Sequence, residues 1–249
     1  MTQQSNAPFS TRSVLASALL GQEPPELPVA QLVRLGQLFE MGENRVRVAL
    51  TRMVASGECT TDGAGNYRLA GRLLDRQLRQ AASRRGATHP WSGRWTQVVV
   101  LATGSAPEVR VERRRALAFA RLAELREGVW LRPDNLEVSL PDPIRADVVS
   151  FSARAQHDAA LCASLWPLDE WATRAEALLA EMTARPPRGR EDLASGFELS
   201  AAVLRHLQAD PLLPAELLPP GWPGDRLRLD YDGWDAAYRA VLRTWSRAA

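Results

Sequence analysis

The sequence predicts an α+β chain built as an N-terminal winged helix-turn-helix, a central ferredoxin-like domain and a helical C-terminal domain. Three observations carry this. Residues 10–69 read as three short helices and a hairpin around a glycine-rich tip. Residues 95–153 alternate between strand and helix patterns. From His157 onward the chain shows only helical spacing and proline-rich loops. The domain bounds expected from these patterns are 9–85, 93–156 and 157–249.

Residues 1–8 are polar and read as disordered. Ser10 or Thr11 is suited to cap a first helix over Thr11–Leu20, stopped by Gly21 and the prolines that follow. Pro28 suits the first turn of a second helix that runs to about Met41. Gly42 turns the chain into a third helix, ENRVRVALTRMVASG, which ends at Gly57. The following ECTTDGAGNYRLA has hairpin chemistry, with Asp62-Gly63-Ala64-Gly65-Asn66 at its tip. Gly71–Arg85 has helical spacing at Leu73, Leu74, Leu78 and Ala81, and Gly86–Gly93 is a linker by composition. In the middle part, Trp95–Thr103 reads as a strand, Pro107–Arg126 as a basic helix, and Gly128–Arg132 and Asp147–Ala153 as strands. Strand, helix, strand, strand fits a ferredoxin-like domain of about 60 residues. Among the later helices, Leu168–Met182 is the clearest, with Leu168, Trp171, Ala175, Leu178, Leu179 and Met182 on one face. Phe197–Leu207 and Trp234–Trp245 follow.

Composition bounds the function. The chain has 249 residues, 45% of them apolar and 24% charged, ordinary for a globular protein. It carries no run of about 18 apolar residues and no signal-peptide pattern, so no membrane span and a cytoplasmic location are expected. Cys59 and Cys162 are far apart and outside any CxxC pair, which argues against a metal or redox site. The net charge of +2 hides an asymmetry. Residues 1–90 carry 11 arginines against 7 acids, and residues 156–249 carry 10 against 14. The N-terminal part is therefore the one suited to approach phosphate.

The third helix carries the sharpest signal. An α-helix turns about 100° per residue, which sets Leu50 at about 40° and Met53 at about −20° from Val46. These three form one apolar face. The opposite face holds Asn44, Arg47, Val48 and Thr51, with Arg52 at its edge and Arg45 as a further cation. Asn and Arg read base edges bidentately, and Thr or Val meets a thymine methyl. An isolated helix of this kind is more readily a solvated surface helix. Its position, third in a helical run and directly before a hairpin, favours a recognition helix in a major groove. Arg68, in the hairpin, is within the expected reach of phosphate.

Five passages together resemble the PaaX family of bacterial repressors of phenylacetate and related aromatic catabolism. They are STRSVLASALLG with GENRVRVALTRMVASG and its short wing, WSGRWTQVVV, GVWLRPDNL at 128–136, LWPLDEWATRAEALL at 165–179 and DPLLPAELLPPGWPGD at 210–225. The resemblance spans residues 9–245. It implies a winged helix, a central domain similar to the Cas2 ferredoxin-like fold, and a helical C-terminal domain. It also implies a homodimer on an inverted-repeat DNA operator, released by an aryl-acyl-CoA effector such as phenylacetyl-CoA. Where the family carries a tyrosine-rich helix, this chain has TRAEALLAEM, and Pro167 stands where an acidic residue is common. The effector is thereby left open to another acyl-CoA or an unrelated aromatic.

Two groups are candidates for the effector. Arg110, Arg113, Arg114 and Arg115 either receive coenzyme A phosphates or form a solvated face interleaved with Glu108 and Glu112. Trp130 and Arg132 either line a ligand cleft or, for Trp130, fill the core of a strand. An enzyme is not expected. The three histidines are scattered, and no GxSxG, GxGxxG or P-loop is present. The Cas2 resemblance raises nuclease chemistry, which is linked there to an Asp near the end of the first strand. Here that strand ends Ala102-Thr103-Gly104, without a carboxylate. The alternatives to a repressor are an acyl-CoA-binding protein or enzyme without DNA function, and a winged helix used for protein contact.

Overall fold

A computed structural model describes residues 10–22, 24–86 and 88–247, with all side chains in these except 75, 76, 78–82, 246 and 247. The disorder expected for residues 1–8 and the roles of the Leu78 and Ala81 side chains lie outside the described residues. Two antiparallel sheets and long helices make the chain α+β. It divides into two compact units. The first comprises residues 1–85, 177–208 and 226–249, and the second residues 86–176 and 209–225. Residues 157–249, which read from sequence as one helical domain, thus contribute to both.

In the first unit, α1 (Thr11–Leu20) begins where the Ser10 hydroxyl accepts the Ser13 N–H at 3.1 Å, supplying a partner for an otherwise orphaned amide. It ends where the Gly21 N–H donates to Ser17 O. Val14, Leu15, Leu19 and Leu20 are buried. A short strand, β1 (Glu26–Pro28), is not evident from sequence; it precedes α2 (Val29–Gln37). The second helix, expected to reach Met41, stops four residues earlier. Glu40 takes a left-handed φ of 55°, and the Phe39 and Met41 N–H groups both fold back onto Gly36 O. Gly36 also sets the spacing to α3 (Glu43–Ala55): a Cβ there would sit 2.6 Å from Val46 Cγ2. Val46, Leu50 and Met53 are the buried face of α3, as their periodicity predicts. Truncating Leu50 to Ala would cost about 2–5 kcal/mol.

The hairpin β2 (Cys59–Thr61) and β3 (Asn66–Leu69) follows directly, and β3 is central in the order β1-β3-β2. α4 (Gly71–Arg85) leaves the sheet at Gly71, where glycine is required: φ is +49°, and a Cβ would lie 2.8 Å from Gly57 O. The same core receives side chains from distant sequence. Phe197 of α9 (Leu193–Gln208) meets Phe39 edge-on at 5.2 Å. Trp245 of α10 (Gly224–Arg247) lies under the Arg34 guanidinium at 4.6 Å. α10 begins ten residues before the expected Trp234, so Asp230 and Asp232 also lie within it. Leu227, Tyr231, Trp234 and Tyr238 are its buried stripe.

The second unit holds the order β5-β6-β4-β7. Its elements are β4 (Trp95–Val100), α5 (Pro107–Phe119), β5 (Ala123–Arg126), β6 (Val129–Pro133), α6 (Asp142–Arg145), β7 (Val148–Ala153) and α7 (Asp158–Leu165). The chain order is therefore strand, helix, strand, strand, short helix, strand. The basic helix expected over 107–126 ends at Phe119, and its last four residues are β5. Arg121 turns the chain with φ +61°, Leu122 enters the core beside Leu117, Val98 and Trp130, and β5 pairs with β6. Pairing and burial override the helical propensity of Ala-Glu-Leu-Arg. β4 ends at Val100 rather than Thr103, where its partner strand runs out at Val148. α8 (Leu168–Ala184) buries Leu168, Trp171, Ala175, Leu178, Leu179 and Met182, the face predicted from sequence. Among the described residues, no helix is long and apolar enough to cross a membrane.

Candidate nucleic-acid interface

The outward face of α3 is built by helical periodicity. With Val46, Leu50 and Met53 turned inward, Asn44, Arg45, Arg47, Val48, Thr51 and Arg52 are all exposed. Val48 is 43% exposed, a large apolar side chain with no packing role on that side. The side chains differ in how far they are committed. Arg47 is ion-paired with Glu43 one turn earlier at 2.7 Å. The Thr51 hydroxyl donates to Arg47 O at 3.0 Å. Arg45 and Arg52 carry no ion pair among the described residues, so their charge is available to a partner.

The hairpin has its own electrostatics. The Asp62 carboxylate accepts the Asn66 side-chain amide at 2.6 Å, the Ala64 N–H at 2.8 Å and the Asn66 N–H at 3.0 Å. The Asn66 side chain, then these amides, hold the Asp62 carboxyl below the usual carboxylate range. Arg68 lies opposite Glu26 in the β1–β3 register and is ion-paired with it at 2.5 Å. Its expected role toward phosphate therefore competes with an internal partner. Arg12 of α1 is paired bidentately through its Nε and Nη2 with the two carboxylate oxygens of Glu58, just before β2, with Nε at 2.7 Å. The Arg12 hydrogen bond holds the Glu58 carboxyl below its ordinary value. Charge follows the compact units rather than the linear thirds. The first unit has 20 arginines against 14 acids, net +6, and the second 11 against 15, net −4.

The residues predicted for an effector do not form one surface. Arg113 is buried and contacts Asp147 at 3.3 Å and the Ser105 hydroxyl at 3.4 Å. Arg114 is exposed and paired with Glu124, while Arg110 and Arg115 point outward. Trp130 is buried among Val98, Leu117 and Leu122. Arg132 is fully buried and donates to Pro133 O at 3.0 Å, Asn135 Oδ1 at 2.9 Å, Leu212 O at 3.3 Å and Arg121 O at 3.4 Å. Burial, with the nearby Arg121 charge, pushes its pKa down to about 10. Arg113, Trp130 and Arg132 are thus engaged inside the second unit.

A cavity of about 1190 Å³ in the first unit is not visible in the sequence. It lies between α1, α4, α9 and α10, with Leu35 of α2 at its wall, so its lining comes from five separate stretches. No single stretch bears a recognisable pattern. Among the described residues, no group of three or more His, Cys, Asp or Glu side chains is arranged to hold a metal ion. Cys59 and Cys162 are free and buried, and desolvation pushes their thiols up to about 11 and about 12, which suppresses thiolate chemistry.

An exposed arginine-bearing helix backed by a hairpin, on the basic unit of an α+β chain, defines a protein with a cationic surface. The chain belongs to the PaaX-like protein family: the family model for the PaaX-like protein matches residues 10–73, and that for the PaaX-like protein C-terminal domain matches residues 166–247. Among solved structures it is similar to an uncharacterized protein, Rv0674, from Mycobacterium tuberculosis. The two are 39% identical, with a TM-score of 0.75 over 94% of this chain and 98% of that one. No match was found among curated proteins.

Proposed function

We propose that this protein is a dimeric DNA-binding transcriptional repressor of aromatic, phenylacetate-type catabolism genes, released by an aryl-acyl-CoA effector. Residues 11–69 act as a winged helix-turn-helix, with α3 in the major groove and the β2–β3 hairpin as the wing. The strand-helix-strand-strand-helix-strand order of residues 95–153 acts as a ferredoxin-like, Cas2-like domain. The observation that carries the reading is the outward face of α3. It presents Asn44, Arg45, Arg47, Val48, Thr51 and Arg52 together, two of the arginines uncommitted, while its other face is buried. The net +6 of the unit that bears α3 supports attraction to phosphate. Membership of the PaaX-like family supports the regulatory role and the effector class.

Gel shift with the promoter fragment upstream of its own gene tests this. The expected result is a shifted complex that phenylacetyl-CoA dissolves. Binding of phenylacetyl-CoA without any shift would favour an acyl-CoA-binding protein without DNA function.

A further inference from the structure

The cavity of the first unit, at about 1190 Å³, is large enough for a ligand bigger than a free aromatic acid, since pockets for drug-sized molecules run to about 1000 Å³. Its lining is divided in character. Leu20, Leu35, Phe197, Leu204 and Leu242 supply apolar wall. Five arginines, at 12, 84, 85, 205 and 239, face two acids, Asp232 and Asp235, which leaves a net +3. The acids are already engaged: Asp232 with Arg84 at 2.5 Å, and Asp235 with Arg84 at 2.8 Å and Arg239 at 2.9 Å. The surplus charge therefore rests on Arg12, Arg85 and Arg205. Arg85 and Arg205 are exposed and carry no ion pair among the described residues. Among the described residues, Arg12 is ion-paired with Glu58, which lies outside the lining.

We infer that this cavity binds an organic anion with an apolar body, of the chemistry that coenzyme A thioesters share with other large acyl anions, and that the bound anion draws Arg12 away from Glu58. The apolar wall takes the acyl part, and Arg85 and Arg205 meet the negative charge at the rim. Arg12 is the relay. It stands on α1, whose Val14, Leu15 and Leu19 share one core with Val46, Leu50 and Met53 of α3. Its partner Glu58 immediately precedes β2. An anion that competes for Arg12 loosens the tie between α1 and the hairpin and shifts the support of α3 without touching its outward face. This regulation rests on the reading of α3 as the DNA contact; the location of the ligand does not.

Calorimetric titration of the full chain with phenylacetyl-CoA, paired with DNA affinity measured with and without it, tests both parts. The wild type is expected to bind phenylacetyl-CoA. Arg205→Glu, at an exposed and unpaired position, is expected to weaken it about fivefold or more by reversing a rim charge. Ala201→Trp, which fills the cavity from α9, is expected to weaken it about tenfold. Arg12→Gln is expected to leave a measurable phenylacetyl-CoA affinity while cutting the effect of phenylacetyl-CoA on DNA binding. Failure of the wild type to bind phenylacetyl-CoA, or wild-type affinity in both Arg205→Glu and Ala201→Trp, overturns the cavity assignment and leaves the DNA reading intact. Loss of DNA binding by the unliganded wild type instead sinks the DNA reading, while the titration still judges the cavity. Should Ala201→Trp fail to fold, Arg205→Glu decides.

Discussion

Arg132→Met removes a fully buried guanidinium and leaves an uncharged side chain that reaches only to about the position of the Arg132 Nε. Two of the lost bonds are short, to Asn135 Oδ1 at 2.9 Å and Pro133 O at 3.0 Å. Two are longer, to Leu212 O and Arg121 O. Leu212 O keeps the Asn135 side-chain amide at 2.9 Å, but the other three acceptors lose this donor. A hydrogen bond from a charged group contributes about 1.5–3 kcal/mol, so the two short bonds alone amount to about 3–6 kcal/mol. Removing the charge gives part of this back, because the same desolvation that pushes the Arg132 pKa down to about 10 no longer acts. The net loss expected is about 2–4 kcal/mol. Urea unfolding followed by tryptophan fluorescence reads it, since Trp91, Trp95, Trp130, Trp166, Trp171 and Trp222 all lie in the second unit. With a slope of about 1–3 kcal/mol per M, the midpoint should fall by roughly 1–2 M. An unchanged midpoint together with weakened phenylacetyl-CoA binding would refute the structural role and return Arg132 to a ligand surface.

Gly36→Ala drives a Cβ into the buried, β-branched Val46 and should destabilise by about 1–3 kcal/mol, lowering Tm by several degrees in calorimetry; an unchanged Tm would mean that α2 and α3 do not approach so closely. The Glu58 carboxyl, depressed by Arg12, contributes stability above its unfolded pKa of about 4.3 that is lost as pH falls through the lower folded value. Carbon-detected NMR should therefore show Glu58 titrating below the ordinary range in wild type and within it in Arg12→Gln; identical titrations would remove the ion pair. Asp62→Ala deprives the Ala64 and Asn66 amides of their acceptor, so their hydrogen exchange should accelerate while global unfolding is unchanged; unaltered exchange would show that Asp62 does not hold the tip. Cys59 and Cys162, with raised thiol pKa values, should resist iodoacetamide at neutral pH until the chain is denatured; rapid labelling of the native protein would contradict their burial.

Local signals carry far in this sequence. Ser10 and Gly21 bracket α1 because capping is a matter of adjacent residues. The two faces of α3 follow from a single period of 3.6 residues, and the buried set Val46, Leu50 and Met53 is the one that period selects. What escapes is decided by distant partners. β1 is three residues long and exists because β3 offers it a ladder. β5 has a helix-forming composition and becomes a strand only by pairing with β6. The start of α10 hides behind Asp230, Asp232 and Asp235, which are tolerated there because Arg84 and Arg239 engage Asp232 and Asp235. The arginines that read as one cluster over 110–115 split between the buried Arg113, paired with Asp147, and exposed positions, which charge counting along the chain does not resolve. The cavity requires α1, α4, α9 and α10 to meet, a juxtaposition with no local signature.

The most direct measurement is fluorescence anisotropy of the promoter fragment across a salt series, for the wild type, Arg45→Ala and Arg52→Ala. Both arginines are exposed and unpaired among the described residues, so neither substitution should move Tm. Each loss is expected to weaken binding by about 1–3 kcal/mol if the side chain reads a base, or to flatten the logarithmic salt slope by about 0.9 if it meets a phosphate. Wild-type affinity and wild-type slope in both variants would contradict the assignment of this face of α3 to DNA.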